Sequence, residues 1–422
     1  MRKGFFISLF LMLSMLLLLC SCNGFIGITG ILFADPNLEQ AVRNAEGYTG
    51  EVEGPIFLDD VQDITILDLS QDDAVESLIR NEYGSNHPDF FLKQSEPYRQ
   101  KTTFYERDSS VGVISSLVGI EHLVNLQTLL LPNNNVSDLS PLKYLLHLKI
   151  LDFSGNHVTS ISCLKKLNCL ESIFFDENTV SDITTLRNFG NLKGLSFMRN
   201  NVSDLSPLAE LTHLEYLNFS FNNISNITVL QNLTCLEFLS MGWNQIEDLS
   251  GLGLLTHLPA LYVWHNQLTD LSPIQNLTNL TSFHFGENQV NDLVPLQNLT
   301  KLENLSFWNN LVVDLSPLEN LVHLEELWFE VNQVAELSAL QYLSELKSLC
   351  FWDNQVRNIS DLMNNPGIGE NDYIDMRANF LDLTEGSQDS VNIQTLIDKG
   401  VEVIYEPQYS LTSIIPTIKR IG

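Results

Sequence analysis

Positive charge is scarce in this sequence. Its 422 residues hold 22 Lys and Arg against 52 Asp and Glu, a formal net charge of −30. A surface of that sign repels phosphate backbones and anionic headgroups, so nucleic acid is not expected as a partner, and a basic partner or none, with the charge serving solubility, is favoured. Long apolar runs are missing too, except at the start. Beyond residue 22 nothing approaches the ~20 apolar residues that a membrane-spanning helix needs. Cysteine is sparse, and Cys163, Cys169, Cys235 and Cys350 match no zinc or redox spacing, so free, packed thiols are expected. Catalytic signatures are absent as well. No Ser-His-Asp or Cys-His arrangement emerges, the His-Leu-Glu-Glu of His323 to Glu326 is not H-E-x-x-H, and Gly251-Leu252-Gly253 is too short for a phosphate loop. Neither an enzyme nor a cofactor is expected.

What is present begins with a leader. Met1-Arg2-Lys3 is a basic start, and Gly4 to Leu19 is apolar and uncharged, the layout of a secretory signal peptide. It ends in Leu19-Cys20-Ser21-Cys22, which resembles a bacterial lipobox. Cys22 fits the lipidated position better than Cys20, because small Ser21 precedes it whereas Leu19 precedes Cys20. The rival is an uncleaved anchor, since the run nearly reaches spanning length. On the first reading residues 1–22 are a lipoprotein signal peptide, and the rest lies outside the cytoplasm on the cell membrane.

From Leu126 the chain repeats every 22 residues as L-x-x-L-x-L-x-x-N-x-V, then x-D-L-S-P-L-x-x-L-x-x. The asparagine recurs without insertion from Asn134 through Asn222, Asn244 and Asn310 to Asn354, and a further turn leads three residues late to Asn379. This is the leucine-rich-repeat signature, a strand plus a short helical turn per coil. The fold expected is an α/β solenoid, a horseshoe with a parallel sheet on its concave face and 3-10 or helical turns on its convex face. A single coil cannot bury its apolar face, so Leu126, Leu129, Leu131, Val136, Leu139, Leu142 and Leu145 are predicted to stack on their equivalents. The asparagines are predicted to bridge coil to coil as a ladder, since an amide both donates and accepts. The Asp column (Asp138, Asp182, Asp204, Asp248, Asp270, Asp292, Asp314) is placed to cap the returning turn, which makes much of the negative charge structural.

Ends of such a stack need caps. Residues 23–70 read as the N-terminal cap, with Asp35 as N-cap, Pro36 at the first helical position and a first strand within Asp63 to Ser70. Residues 71–112 read as an insertion, elaborating the cap or serving as a recognition loop, and its start (Asp72 to Asn81) has helical character. Repeats fill 113–383. A C-terminal cap over 384–410 should hold a helix from Val391 to Lys399, a stop at Gly400 and a strand over Val401 to Tyr405, before a tail at 411–422.

The repeat with its N-x-V/I-x-D-L-S-P-L stretch, the capping helix and the lipobox together resemble the internalin-type leucine-rich repeats of bacterial surface proteins, over roughly residues 33 to 410. The resemblance implies adhesion or host recognition through a concave face that holds protein receptors, often with aromatic residues. Here lipid anchoring would stand in place of wall anchoring. The other 22-residue class, phosphatase-regulating proteins of eukaryotic nuclei, would not carry a lipobox.

Side chains alternate along a strand, so each coil presents four outward columns, such as Asn304, Ser306, Trp308 and Asn309. All five tryptophans of the chain fall in them: Trp243, Trp264, Trp308, Trp328 and Trp352. With Phe221, Phe238, Tyr262, His265 and His284 they form the candidate site, a solvated aromatic stripe for a partner. Glu287, Glu326, Glu330 and Asp353 share that face. Acids beside aromatics suit an extracellular protein with a basic or amphipathic patch, and a glycan stacked on the rings is the second choice. Alternatively the rings only stiffen the sheet, leaving a spacer without a ligand. A monomer is expected. His213, Cys235 and His257 share a column on successive coils, but the column also takes Asn279, Lys301 and Glu345, so a metal site is not expected there.

Overall fold

The computed structural model describes residues 30–45, 47–51, 53–70 and 112–409. The leader with Cys22, the insertion apart from Gly112, and the tail lie outside the described residues. The chain divides after Gly194 into two compact units.

In the first unit Asp35 opens the helix α1 (Pro36–Asn44), its Oδ1 accepting from the Asn37 N–H at 2.9 Å. Its Oδ2 accepts from the Ser115 N–H at 2.7 Å and from the Ser116 N–H, which ties the cap to the first coil. Burial works to raise this carboxyl's pKa, but the hydrogen bonds from Ser115, Asn37 and Ser116 outweigh it and hold the group below its ordinary value. Leu38, Ala41 and Val42 form the helix's buried stripe. A single-turn helix, α2 (Leu58–Val61), was not apparent from the sequence. Four strands then follow in chain order as parallel neighbours: β1 (Ile66–Asp68), β2 (Thr128–Leu130), β3 (Ile150–Asp152) and β4 (Ser172–Phe174). The strand β5 (Gly194–Ser196) lies at the division.

The second unit repeats the pattern through β6 (Tyr216–Asn218), β7 (Phe238–Ser240), β8 (Ala260–Tyr262), β9 (Ser282–His284), β10 (Asn304–Ser306), β11 (Glu326–Trp328), β12 (Ser348–Cys350), β13 (Tyr373–Asp375) and β14 (Glu402–Ile404). Each pairs in parallel with the next, in register at one coil per strand, for example Leu305 with Leu327 and Leu327 with Leu349. Between strands the chain returns through 3-10 turns of three to five residues, such as Ser206–Leu208 and Thr228–Asn232. A 22-residue coil leaves no room for a longer helix, and 3-10 geometry is the form such short pieces take. Helix α3 (Gln388–Asp398) closes the stack with Ser387 as N-cap and Gly400 at φ +88° behind it. It starts three residues before the predicted Val391, because Ser387 rather than the first apolar residue supplies the cap.

Each coil is built as its spacing predicts. Leu126, Leu129, Leu131, Val136, Leu139, Leu142 and Leu145 are buried. The asparagine ladder is present: Asn244 Oδ1 accepts from the Ile224 N–H at 2.9 Å, and its Nδ2 donates to the Phe219 and Met241 carbonyls at 3.1 and 3.2 Å. The Asp column caps the turns, with Asp138 Oδ1 accepting from the Ser140 N–H and Asp270 Oδ1 from the Ser272 N–H, both at 2.8 Å. For Asp270 those serine hydrogen bonds hold the carboxyl below its ordinary pKa. Phenylalanines just past the strands add an inner stack, with Phe285, Phe307, Phe329 and Phe351 centroids 5.6 to 5.7 Å apart. The thiols are free, but Cys169 and Cys235 are exposed rather than packed. Both stand in the column before the core leucine, which points to solvent.

An aromatic face on the sheet of the second unit

The residue before each ladder asparagine has a left-handed backbone, with φ between 50° and 58° from Asn133 to Asp353 in every coil that carries a side chain there. Its N–H donates to the next coil, as from Trp243 to the Trp264 carbonyl at 3.0 Å and from His265 to the Gly286 carbonyl at 2.9 Å. Glycine, asparagine and aspartate tolerate this conformation; bulky residues are strained in it. In the second unit the position nevertheless holds Arg199, Phe221, Trp243, His265 and Glu287 in succession.

These five side chains stack as one file. The Arg199 guanidinium lies 4.5 Å over the Phe221 ring, Phe221 stacks on Trp243 at 5.2 Å and 11°, and Trp243 stacks on His265 at 3.3 Å and 16°. His265 Nδ1 pairs with Glu287 Oε2 at the end. Burial lowers the Arg199 pKa. Trp264 meets this file edge-on, against Phe221 at 5.6 Å and Trp243 at 6.2 Å.

A second file lies on the strands themselves. Tyr216 stacks on Phe238 at 4.7 Å, Phe238 contacts Tyr262 at 5.2 Å, and Tyr262 stacks on His284 at 5.0 Å. The Tyr262 hydroxyl shares a hydrogen bond with Ser282 Oγ at 3.2 Å, and burial pushes its pKa upward. Trp328 Nε1 donates to Ser348 Oγ at 3.1 Å.

The third column alternates Gly242, Trp264, Gly286, Trp308, Glu330 and Trp352. A Cβ built on Gly242 would come within 2.6 Å of the Trp264 ring, and one on Gly286 within 2.5 Å of the Trp308 ring. Each of these indoles therefore lies on the bare backbone of the coil before it, a close approach only glycine permits.

The expected solvated stripe is corrected by these contacts. Trp264, Trp328, Phe238, Tyr262 and His284 are buried, Trp308, Phe221 and His265 are half-buried, and Trp243 and Trp352 are the exposed members of the ten, at 40% and 37% exposure. All ten predicted residues lie in the second unit. Tyr216 and Arg199 are members that sequence reasoning missed, although both fall in the outward columns. Among the described residues no group of three or more His, Cys, Asp or Glu is placed to hold a metal. The column of His213, Cys235 and His257 instead makes rim contacts elsewhere along it, such as Lys301 Nζ to Asn279 Oδ1 at 2.7 Å.

Strand, turn and asparagine ladder in every coil define a leucine-rich-repeat protein, and a family model described as leucine rich repeats (2 copies) matches residues 190–232, 212–254 and 300–342. Within that class the chain is internalin-like. It is similar to the crystal structure of an internalin (InlF) from Listeria monocytogenes, with a TM-score of 0.73 and 27% identity, covering 90% of this chain and 98% of that one. An LRR protein of Leptospira interrogans superposes with a TM-score of 0.62 at 20% identity, covering 69% of this chain and 81% of that one. A plant peptide hormone receptor, RGFR1 in complex with RGF2, superposes with a TM-score of 0.53 at 18% identity, covering 69% and 57%. These two share the fold. No curated protein matches the sequence. Internalin-like leucine-rich-repeat proteins are in general binding proteins of the cell surface or its exterior rather than enzymes.

Proposed function

We propose that this chain is a lipid-anchored bacterial surface protein that binds an extracellular protein through the aromatic face of its second unit. One observation carries this reading: Phe221, Trp243 and His265 occupy left-handed positions that strain them. The fold does not ask for aromatics there, since Asn133 and Gly155 meet the same backbone requirement. Residues kept at such a cost point to function rather than to scaffold. The acidic surface and the partly exposed Trp243 and Trp352 suit a basic or amphipathic polypeptide, with the buried rings beneath acting as a rigid floor. That RGFR1 is in complex with RGF2 supports a polypeptide ligand on this kind of scaffold. A stacked sugar is less favoured, because Phe221 and His265 occupy the two faces of the Trp243 ring. Anchoring rests on the lipobox, with Cys22 as the lipidated residue.

Trp243→Asn combined with Trp352→Ala tests the site against arrays of extracellular proteins and glycans. Loss of at least tenfold in affinity for a captured protein supports it, whereas a double variant that keeps full binding, or a wild type that captures only glycans, overturns it. For the anchor, Cys22→Ala should abolish lipid labelling, and persistent labelling would move the assignment to Cys20.

A further inference from the structure

Glu330 interrupts the alternation of the third column. Where Trp264 and Trp308 follow glycines, Trp352 follows Glu330, whose side chain takes the space that Gly242 and Gly286 leave to an indole. Trp352 is accordingly the raised member of the column, 37% exposed. Glu330 itself is only 5% exposed, and its Oε2 is buried without a hydrogen-bond partner. Its own backbone N–H is the donor that reaches the carboxyl. The groups around it are of the wrong kind to pair with a carboxylate. Asp375 and the Cys350 thiol act on the same cluster, and the Tyr373 phenol is pushed up to about 12 chiefly by burial. The nearby cation is committed elsewhere, since Arg377 Nε and Nη2 donate to Asp375 at 2.9 and 2.6 Å. Burial first, then Asp375, pushes the Glu330 carboxyl up to about 8, so it is held protonated at neutral pH.

A buried carboxyl with one oxygen unpaired is costly, and nothing in the coil requires it, since the column accepts glycine. Strand spacing puts the Trp308 and Trp352 backbones about 10 Å apart with Glu330 midway. We propose that Glu330 receives a basic side chain, a lysine ammonium or an arginine guanidinium, of the polypeptide bound at this face, between Trp308 and Trp352 as aromatic walls. The inference rests on the binding role proposed above. Trp352, the raised indole, moves to admit the guest. A cation paired with a carboxylate and flanked by indoles gains both a charge-assisted hydrogen bond and the attraction of the ring faces. The exchange balances simply: the Glu330 carboxyl loses its proton to water as the cation arrives. Below pH 8 binding therefore releases a proton, and affinity climbs up to about tenfold per pH unit before levelling.

The test uses the full chain and a capped pentapeptide with one arginine between glycines, beside a counterpart in which citrulline, a neutral isostere, replaces it. Binding is followed through the indole N–H resonances of Trp308 and Trp352. The arginine peptide should shift both, more tightly at pH 8 than at pH 6.5, with the citrulline peptide at least tenfold weaker and flat with pH. Glu330→Gln should bring the arginine peptide down to the citrulline level, while an undiminished thermal midpoint shows the variant folded; Glu330→Asp should restore part of the pH dependence. Equal binding of the two peptides, no shift with either, or unchanged binding to Glu330→Gln overturns the proposal. If the peptide test fails while Trp243→Asn with Trp352→Ala still loses the protein partner, Glu330 alone is misassigned. If the peptide test succeeds and that double variant keeps its partner, the aromatic face is not the partner's site.

Discussion

The position before the ladder asparagine is the same piece of backbone in both units and carries different chemistry in each. Up to Gly194 it holds Asn133, Gly155 and Glu177, and beyond it Arg199, Phe221, Trp243, His265, Glu287, Asn309, Val331 and Asp353, all with φ between 50° and 64°. Two of the three residues in the first unit are types that left-handed backbone tolerates. Three in the second are aromatic rings that it strains. Identical geometry with divergent side chains shows that the coil does not dictate what stands there, and that the second unit's choice answers to something besides folding.

That contrast between scaffold and face can be broken at several points. The largest effect is expected at a ladder residue. Asn244→Ala leaves the Ile224 N–H and the Phe219 and Met241 carbonyls buried without their amide, at a cost of about 3 kcal/mol in urea unfolding. Such a loss should follow in either unit, because the ladder is structural in both; a ladder variant with wild-type stability would undo the argument. Next comes Gly286→Ala, whose methyl group must displace the Trp308 indole, costing about 2 kcal/mol and altering the indole's emission. Gly190→Ala in the first unit, with open space around it, should change stability by less than about 0.5 kcal/mol.

Glu330 gives a pH signature of intermediate size. Its folded pKa is raised to about 8 from an ordinary 4.5, so between those values the unfolded chain has lost a proton that the folded chain keeps. Stability contributed by this group therefore falls as pH rises through that window, by up to about 1.4 kcal/mol per unit. Glu330→Gln should flatten that part of a Tm-versus-pH curve, and an identical curve would mean the carboxyl is ionised in the fold. On the aromatic face itself the smallest stability effect is expected at Trp243→Asn, within about 1 kcal/mol of wild type, because relief of left-handed strain offsets the lost stacking. Partner binding should fall there even though stability does not, which separates face from scaffold in a single variant.

Much of this was legible in the residues. Asn134 to Asn354 at constant spacing set the coil length and the strand register, and Leu126, Leu129 and Leu131 marked the inward side. Asp35-Pro36 located α1, and Ser387 and Gly400 bound α3 through ordinary cap chemistry. The ten aromatic and histidine positions also reached one face, because alternation along a strand needs no knowledge of neighbours. Their exposure was not legible. Whether an indole lies flat depends on the residue one coil earlier: Gly242 and Gly286 let Trp264 and Trp308 down, while Glu330 leaves Trp352 raised. The left-handed column was equally hidden, since Phe221, Trp243 and Val331 argue locally against positive φ.

By itself, then, the sequence determined the coil. Its period, core and hydrogen-bond ladder repeat every 22 residues, so one coil's chemistry specifies every other. Tertiary structure alone decided which rings are floor and which are exposed, which residues bear strain, and that Glu330 is enclosed with one carboxyl oxygen unpaired. Those properties belong to pairs of side chains a full coil apart, where packing volume and desolvation act through space rather than along the chain.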